Sequence, residues 1–134
     1  LKKIDKFIKK RKKISQIYNS EFKNHHLVNI KNNIFFNTLS SWHLYILNIN
    51  FKKLKIGKDK LIQELHKRKI SVQVHYIPTF FYKKFKNLKK KSKFKGALSY
   101  FNTCLSLPIY PNLKNSEAKK IIKIIKKILK DNVR

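Results

Sequence analysis

The apolar patterns along this 134-residue chain predict an α/β or α+β fold, one small sheet with helices packed on it. Three observations carry that reading. Apolar residues recur at helical spacing of three and four near both ends, and aromatic and β-branched runs alternate with a helical segment in the middle. The composition, 42% hydrophobic and 13% aromatic, supplies a packed core for a single domain despite a formal net charge of +28.

The first element is a long amphipathic helix over 2–23. Ile4, Phe7, Ile8, Ile14, Ile17, Tyr18 and Phe22 lay one apolar stripe along it while lysines cover the other face. Arg11 interrupts the stripe, so the helix is expected to pack on a globular neighbour rather than in a coiled coil. Residues 24–41, rich in Asn and Ser and holding Ile34, Phe35 and Phe36, read as loop with one or two short strands. Trp42 to Asn50 is dense in aromatic and β-branched residues and reads as a strand, after which Gly57 breaks the chain.

Leu61, Ile62 and Leu65 place a helix over 58–68. Val72, Val74 and Tyr76 then alternate with Gln73 and His75 as in a strand that Pro78 stops. Thr79 to Lys93 scatters Phe80, Phe81, Tyr82 and Phe85 among lysines without a clean period and reads as loop with one helical turn. Gly96 precedes a short helix through Ala97, Tyr100, Phe101 and Cys104. Leu105 to Pro108 is then extended, its direction fixed by Pro108 and Pro111. Asn115 or Ser116 can cap a last helix whose buried stripe is Ala118, Ile121, Ile122, Ile125, Ile128 and Leu129.

One cysteine excludes an internal disulfide and a multi-cysteine metal site. The chain lacks an apolar run approaching ~20 residues, as a spanning helix would need, so no membrane association is expected. It begins at Leu1 rather than Met, with nothing resembling an export signal at its start. The expectation is a soluble, reduced, cytoplasmic protein that is a piece of a longer chain. A charge of +28 attracts polyanions, yet 31 of the 34 basic residues are Lys and only Arg11, Arg68 and Arg134 offer the bidentate fork. Solvated lysine faces with no more than non-specific nucleic-acid binding are the expectation. A lysine-rich nucleic-acid-binding module without enzymatic activity is the alternative.

The five histidines, His25, His26, His43, His66 and His75, lack the spacing of a zinc helix. His25 and His26, being adjacent, would point to opposite faces of an extended segment. His66 on a lysine-rich helix reads as solvated, and His43 and His75 fall on predicted strands. The carboxylates Asp5, Glu21, Asp59, Glu64, Glu117 and Asp131 are too scattered to pair as general acid and base. With two glycines, a backbone phosphate cradle is excluded. Cys104 on the apolar side of its helix reads as a buried, inert thiol. His75-Tyr76-Ile77-Pro78 puts an imidazole and a phenol at the end of a strand, where α/β domains present ligand groups. Equally, Tyr76 could be core and His75 merely hydrogen-bonded.

The order of these segments resembles the C-terminal region of the DegT/DnrJ/EryC1/StrS sugar-nucleotide aminotransferases. The carrying pieces are the Ile4-to-Phe22 helix with Lys10-Arg11-Lys12, Ser41-Trp42-His43-Leu44-Tyr45, Val72-Gln73-Val74-His75-Tyr76-Ile77-Pro78, and Leu105-Ser106-Leu107-Pro108-Ile109-Tyr110-Pro111 before the terminal helix. Gln-Val-His-Tyr-Ile-Pro is most similar to members that aminate a UDP-linked 4-keto-6-deoxy-N-acetylhexosamine toward pseudaminic acid.

The resemblance implies the C-terminal small domain of a fold-type-I transferase dependent on pyridoxal phosphate. Residues 1–24 would be a connecting helix and 25–134 the small domain, the large domain with the cofactor lysine being absent. It further implies that His75 and Tyr76 contact the sugar nucleotide. The full-length enzyme, expected to be a homodimer, would hold the cofactor and move an amino group from an amino-acid donor to the UDP-sugar for a surface polysaccharide or flagellin glycan. Since no lysine here stands where burial would lower its pKa, and no acid is placed to hold a pyridinium, this chain alone is expected to be catalytically silent. Two departures from the family pattern bear on substrate specificity. The region of Phe80 replaces a second histidine, and the usual glycine is missing at Lys69-Ile70-Ser71.

Overall fold

A computed structural model describes residues 2–30, 40–88 and 94–134. Helix α1 spans Ile4–Phe22, strand β1 Val28–Asn29, strand β2 Tyr45–Ile49, and helix α2 Lys58–Lys67. Helix α3 follows at Lys95–Thr103, then strand β3 at Cys104–Leu107 and helix α4 at Asn115–Asp131. Single 3-10 turns lie at Phe51–Lys53 and Thr79–Phe81, and a kinked one at Lys83–Leu88. The predicted helices and the mixed class are therefore present. The predicted Ile34-Phe35-Phe36 group lies outside the described residues.

The sheet is antiparallel with order β1-β2-β3, and β2 is its middle strand. Tyr45 pairs with Leu107 and Leu47 with Leu105, so one sheet face carries these four, all buried. That face meets α1, where the Tyr18 ring lies 4.8 Å from Tyr45, and α4, whose stripe completes the same core. Two phenols tie the layers together. Tyr18 donates to the Pro108 carbonyl at 2.9 Å, and Tyr45 donates to Asn19 Oδ1 at 2.8 Å.

The other sheet face pairs Ile46 with Ser106 and Asn48 with Cys104. Thr103, at the end of α3, donates to Asn48 Oδ1 there.

Several sequence expectations are corrected. The strand over 72–76 is only an isolated bridge between Gln73 and Ser106, because Tyr76 and Ile77 turn outward instead of continuing the pairing. His75 and His43 thus lie outside strands, β2 starting only at Tyr45. Gly96 lies inside α3, and Cys104 opens β3 rather than closing the helix. The cap of α4 is neither Asn115 nor Ser116. The N-cap is Lys114, whose own backbone N–H donates to the Glu117 carboxylate at 2.8 Å, the return half of a capping box, and that acid sits at the positive end of the helix dipole.

His25 and His26 do not diverge either. They sit in a turn with rings stacked 5.3 Å apart.

Candidate functional site

The centre of the site is a polar residue in an apolar strand. Ser106 is only 5% exposed, and its main chain is bonded on the outer edge of β3. The Gln73 N–H donates to its carbonyl at 3.3 Å, and its own N–H donates to the Gln73 carbonyl at 2.8 Å. Two residues past this bridge the His75 ring arrives, with Nδ1 2.7 Å from Ser106 Oγ. The next peptide bond, His75–Tyr76, is cis, and the two rings meet edge-on at 4.7 Å. Tyr76 is 70% exposed, which removes the reading of Tyr76 as core.

His75 and Ser106 form part of the wall of a cleft of about 640 Å³. Its other sides come from the end of α2, the segment after β3 and the first turns of α4. The exit of α2 shapes one rim. Lys69 takes the left-handed conformation (φ 59°) while its N–H donates to His66 and that of Ile70 donates to Leu65, a helix stop at which glycine would be unstrained.

Arg68 projects there with its guanidinium held 2.7 Å from both the Glu64 carbonyl and carboxylate. That pairing holds the Glu64 carboxyl below its usual range, Arg68 acting first and Lys67 next. Lys69 and Lys120 add positive charge to the lining, and Glu117 is its acid, already engaged by Lys114. Such a cleft, cationic at its rim with a half-buried His75 bonded to buried Ser106 in its wall, suits a ligand bearing acceptor oxygens.

Of the two predicted site residues, the structure brings His75 into the cleft wall and leaves Tyr76 beside it, outside the lining. Ser106, Arg68 and Lys120 were not read as site residues from the sequence. Ser106 alone carried a signal, as the one polar residue among Leu105, Leu107 and their apolar neighbours.

Behind the sheet, burial pushes the Cys104 thiol up while the charge of Lys58 pulls it down. The sulfur is buried, in keeping with an inert thiol. Lys58 itself corrects the sequence reading that burial lowers no lysine. Desolvation pushes its ammonium below the usual value as it donates to the Phe101 carbonyl and lies 3.9 Å over that ring. His66, on the exposed side of α2, keeps one contact, Nε2 to the Val72 carbonyl at 3.4 Å.

The fold, a helix-covered antiparallel sheet, is found within aminotransferases. Helicobacter pylori PseC, an aminotransferase involved in the biosynthesis of pseudoaminic acid, superposes with a TM-score of 0.86 at 27% identity. The match covers 98% of this chain and 35% of that one. Spr1654 of Streptococcus pneumoniae, solved in PLP and PMP forms, is 26% identical with a TM-score of 0.81 in each, over 98% of this chain and 33% of that one.

Residues 1–126 match the DegT/DnrJ/EryC1/StrS aminotransferase family, and the chain belongs to that family. An uncharacterized protein of Methanocaldococcus jannaschii is 38% identical over 98% of this chain and 34% of its own length. A UDP-4-amino-4,6-dideoxy-N-acetyl-beta-L-altrosamine transaminase of Campylobacter jejuni is 33% identical over 89% of this chain and 31% of its own length. The chain therefore spans about a third of the length of the curated relatives it matches.

The family's cofactor needs a free amine and an acidic partner facing one site. Lys58, the lysine here with its pKa lowered, is tied to Phe101 and does not line the cleft, and the cleft's Glu117 is held by Lys114. Among the described residues, Lys58 and Glu117 therefore do not face one site.

Proposed function

We propose that this chain is the small-domain portion of an aminotransferase that moves an amino group from an amino-acid donor to a UDP-linked 4-keto-6-deoxy sugar. Residues 1–24 are then a connecting helix and 25–134 the small domain, the cofactor lysine belonging to a large domain outside this sequence. One observation carries the reading: the imidazole of His75, anchored on buried Ser106, stands in the wall of a cation-rimmed cleft next to the exposed Tyr76 phenol. Family membership supports it, and so does the likeness over most of this chain to a transaminase named for a UDP-sugar.

In this reading His75 and Tyr76 hold the sugar nucleotide, and the cations of the rim offset its phosphate charge. The amino transfer needs groups that the described residues do not bring together, so the chain alone is read as silent. The whole enzyme is read as a cytoplasmic homodimer, and its nucleic-acid binding as non-specific. The product would enter a surface glycan.

The test uses the enzyme made whole with its large domain. A hydrogen bond to a charged phosphate contributes ~1.5–3 kcal/mol, so His75→Ala raises KM for the sugar nucleotide about 10- to 100-fold. The half-reaction with the amino-acid donor stays nearly unchanged, because it does not involve the sugar. Loss of that half-reaction with KM for the sugar unchanged would assign His75 to the cofactor site or the core.

A further inference from the structure

A buried hydroxyl must place its proton. Ser106 is 5% exposed in the cleft wall, and its backbone N–H and carbonyl are both taken by Gln73. Among the described residues its one side-chain hydrogen-bond partner is His75 Nδ1 at 2.7 Å. Were Nδ1 protonated and donating, the serine O–H would have no acceptor among the described residues. The arrangement that satisfies both groups has Ser106 donating to Nδ1. The imidazole proton then resides on Nε2, the nitrogen for which the described residues provide no partner.

We propose that Ser106 is a positioning residue, which fixes His75 as the Nε2–H tautomer so that a neutral N–H donor faces the cleft for a phosphate oxygen of the ligand. The role rests on His75 being a ligand contact, but the tautomer itself exists without ligand. The arrangement is economical of charge: a neutral donor adds specificity for an acceptor oxygen while Lys69 and Lys120 supply the positive field, Arg68 being paired with Glu64.

The experiment is a two-bond proton–nitrogen correlation on the 134-residue chain labelled with ¹⁵N-histidine, recorded near pH 8, well above the usual imidazole pKa of about 6.5. His75 is expected to show a single tautomer with Nε2 protonated and Nδ1 shifted as a hydrogen-bonded acceptor. In Ser106→Ala the Nδ1 shift moves to that of an unbonded ring nitrogen and the second tautomer becomes visible, and Ser106→Thr restores the original pattern. A protonated Nδ1 in the unaltered chain overturns the proposal, whether or not the variants fold. Ring-nitrogen shifts that stay in place in a folded Ser106→Ala overturn it too. Titration with uridine diphosphate is a separate arm: absence of binding counts against the substrate reading and leaves the tautomer result standing.

Discussion

Helices α1 and α4 are both lysine-rich with an apolar stripe, yet they end up differently. Every stripe residue predicted for α4 is buried, from Ala118 to Leu129. In α1 full burial is confined to the second half: Ile14, Tyr18 and Phe22 are at most 2% exposed and Ile17 is partly buried, whereas Ile4 and Phe7 keep 49% and 38% of their surface. Helical spacing marks the apolar face in both. What covers that face is set by the sheet, and Tyr18 is the point in α1 that rests on β2 and on Pro108. The first turns of α1 run past that support.

The contrast can be broken most sharply in α4. Ile125 is fully buried at the centre of the stripe, and Ile125→Ala should lower stability by about 2–5 kcal/mol, through lost transfer energy plus a cavity. Chemical denaturation of the chain measures this, and a loss below about 1 kcal/mol would show that α4 is not packed as described. An intermediate effect is expected at the anchor of α1. Tyr18→Phe keeps the ring against Tyr45 but leaves the Pro108 carbonyl without its donor, and should reduce stability by about 0.5–1.5 kcal/mol by the same measurement.

The smallest effect is expected at the exposed start of α1. Phe7→Ala should change stability by no more than about 0.5 kcal/mol. A larger loss there would mean that both halves of the helix are equally supported and would erase the comparison.

The same distinction explains what was legible in the sequence. Periodicity located α1, α2 and α4, since an amphipathic stripe is written in the spacing of residues such as Ile121, Ile122 and Ile125. It misread 72–76, because alternation says which side chains share a face and nothing of whether a partner strand is there to bond the backbone. The described partner on that edge is β3, through Gln73 alone. Likewise His75 was visible as a chemistry-bearing residue at a chain turn. Ser106 became part of the site only through a contact across 31 residues that no local pattern encodes. The cleft's cations were invisible for a simpler reason: among so many lysines, Lys69 and Lys120 have no distinguishing neighbours in the sequence.

The bond from Tyr18 to Pro108 also gives the molecule an alkaline indicator. Burial first, then the neighbouring phenols of Tyr45 and Tyr110, push the Tyr18 hydroxyl well above its ordinary 10.0. Because the folded value lies above the unfolded one, the stabilisation is intact below pH 10. It is lost as pH climbs through the folded value, since the unfolded chain releases that proton first. In an ultraviolet titration Tyr18 should therefore turn to tyrosinate only well above pH 10, together with the collapse of the helical circular dichroism. One absorbance trace would thus time the release of α1 from the sheet without any attached dye.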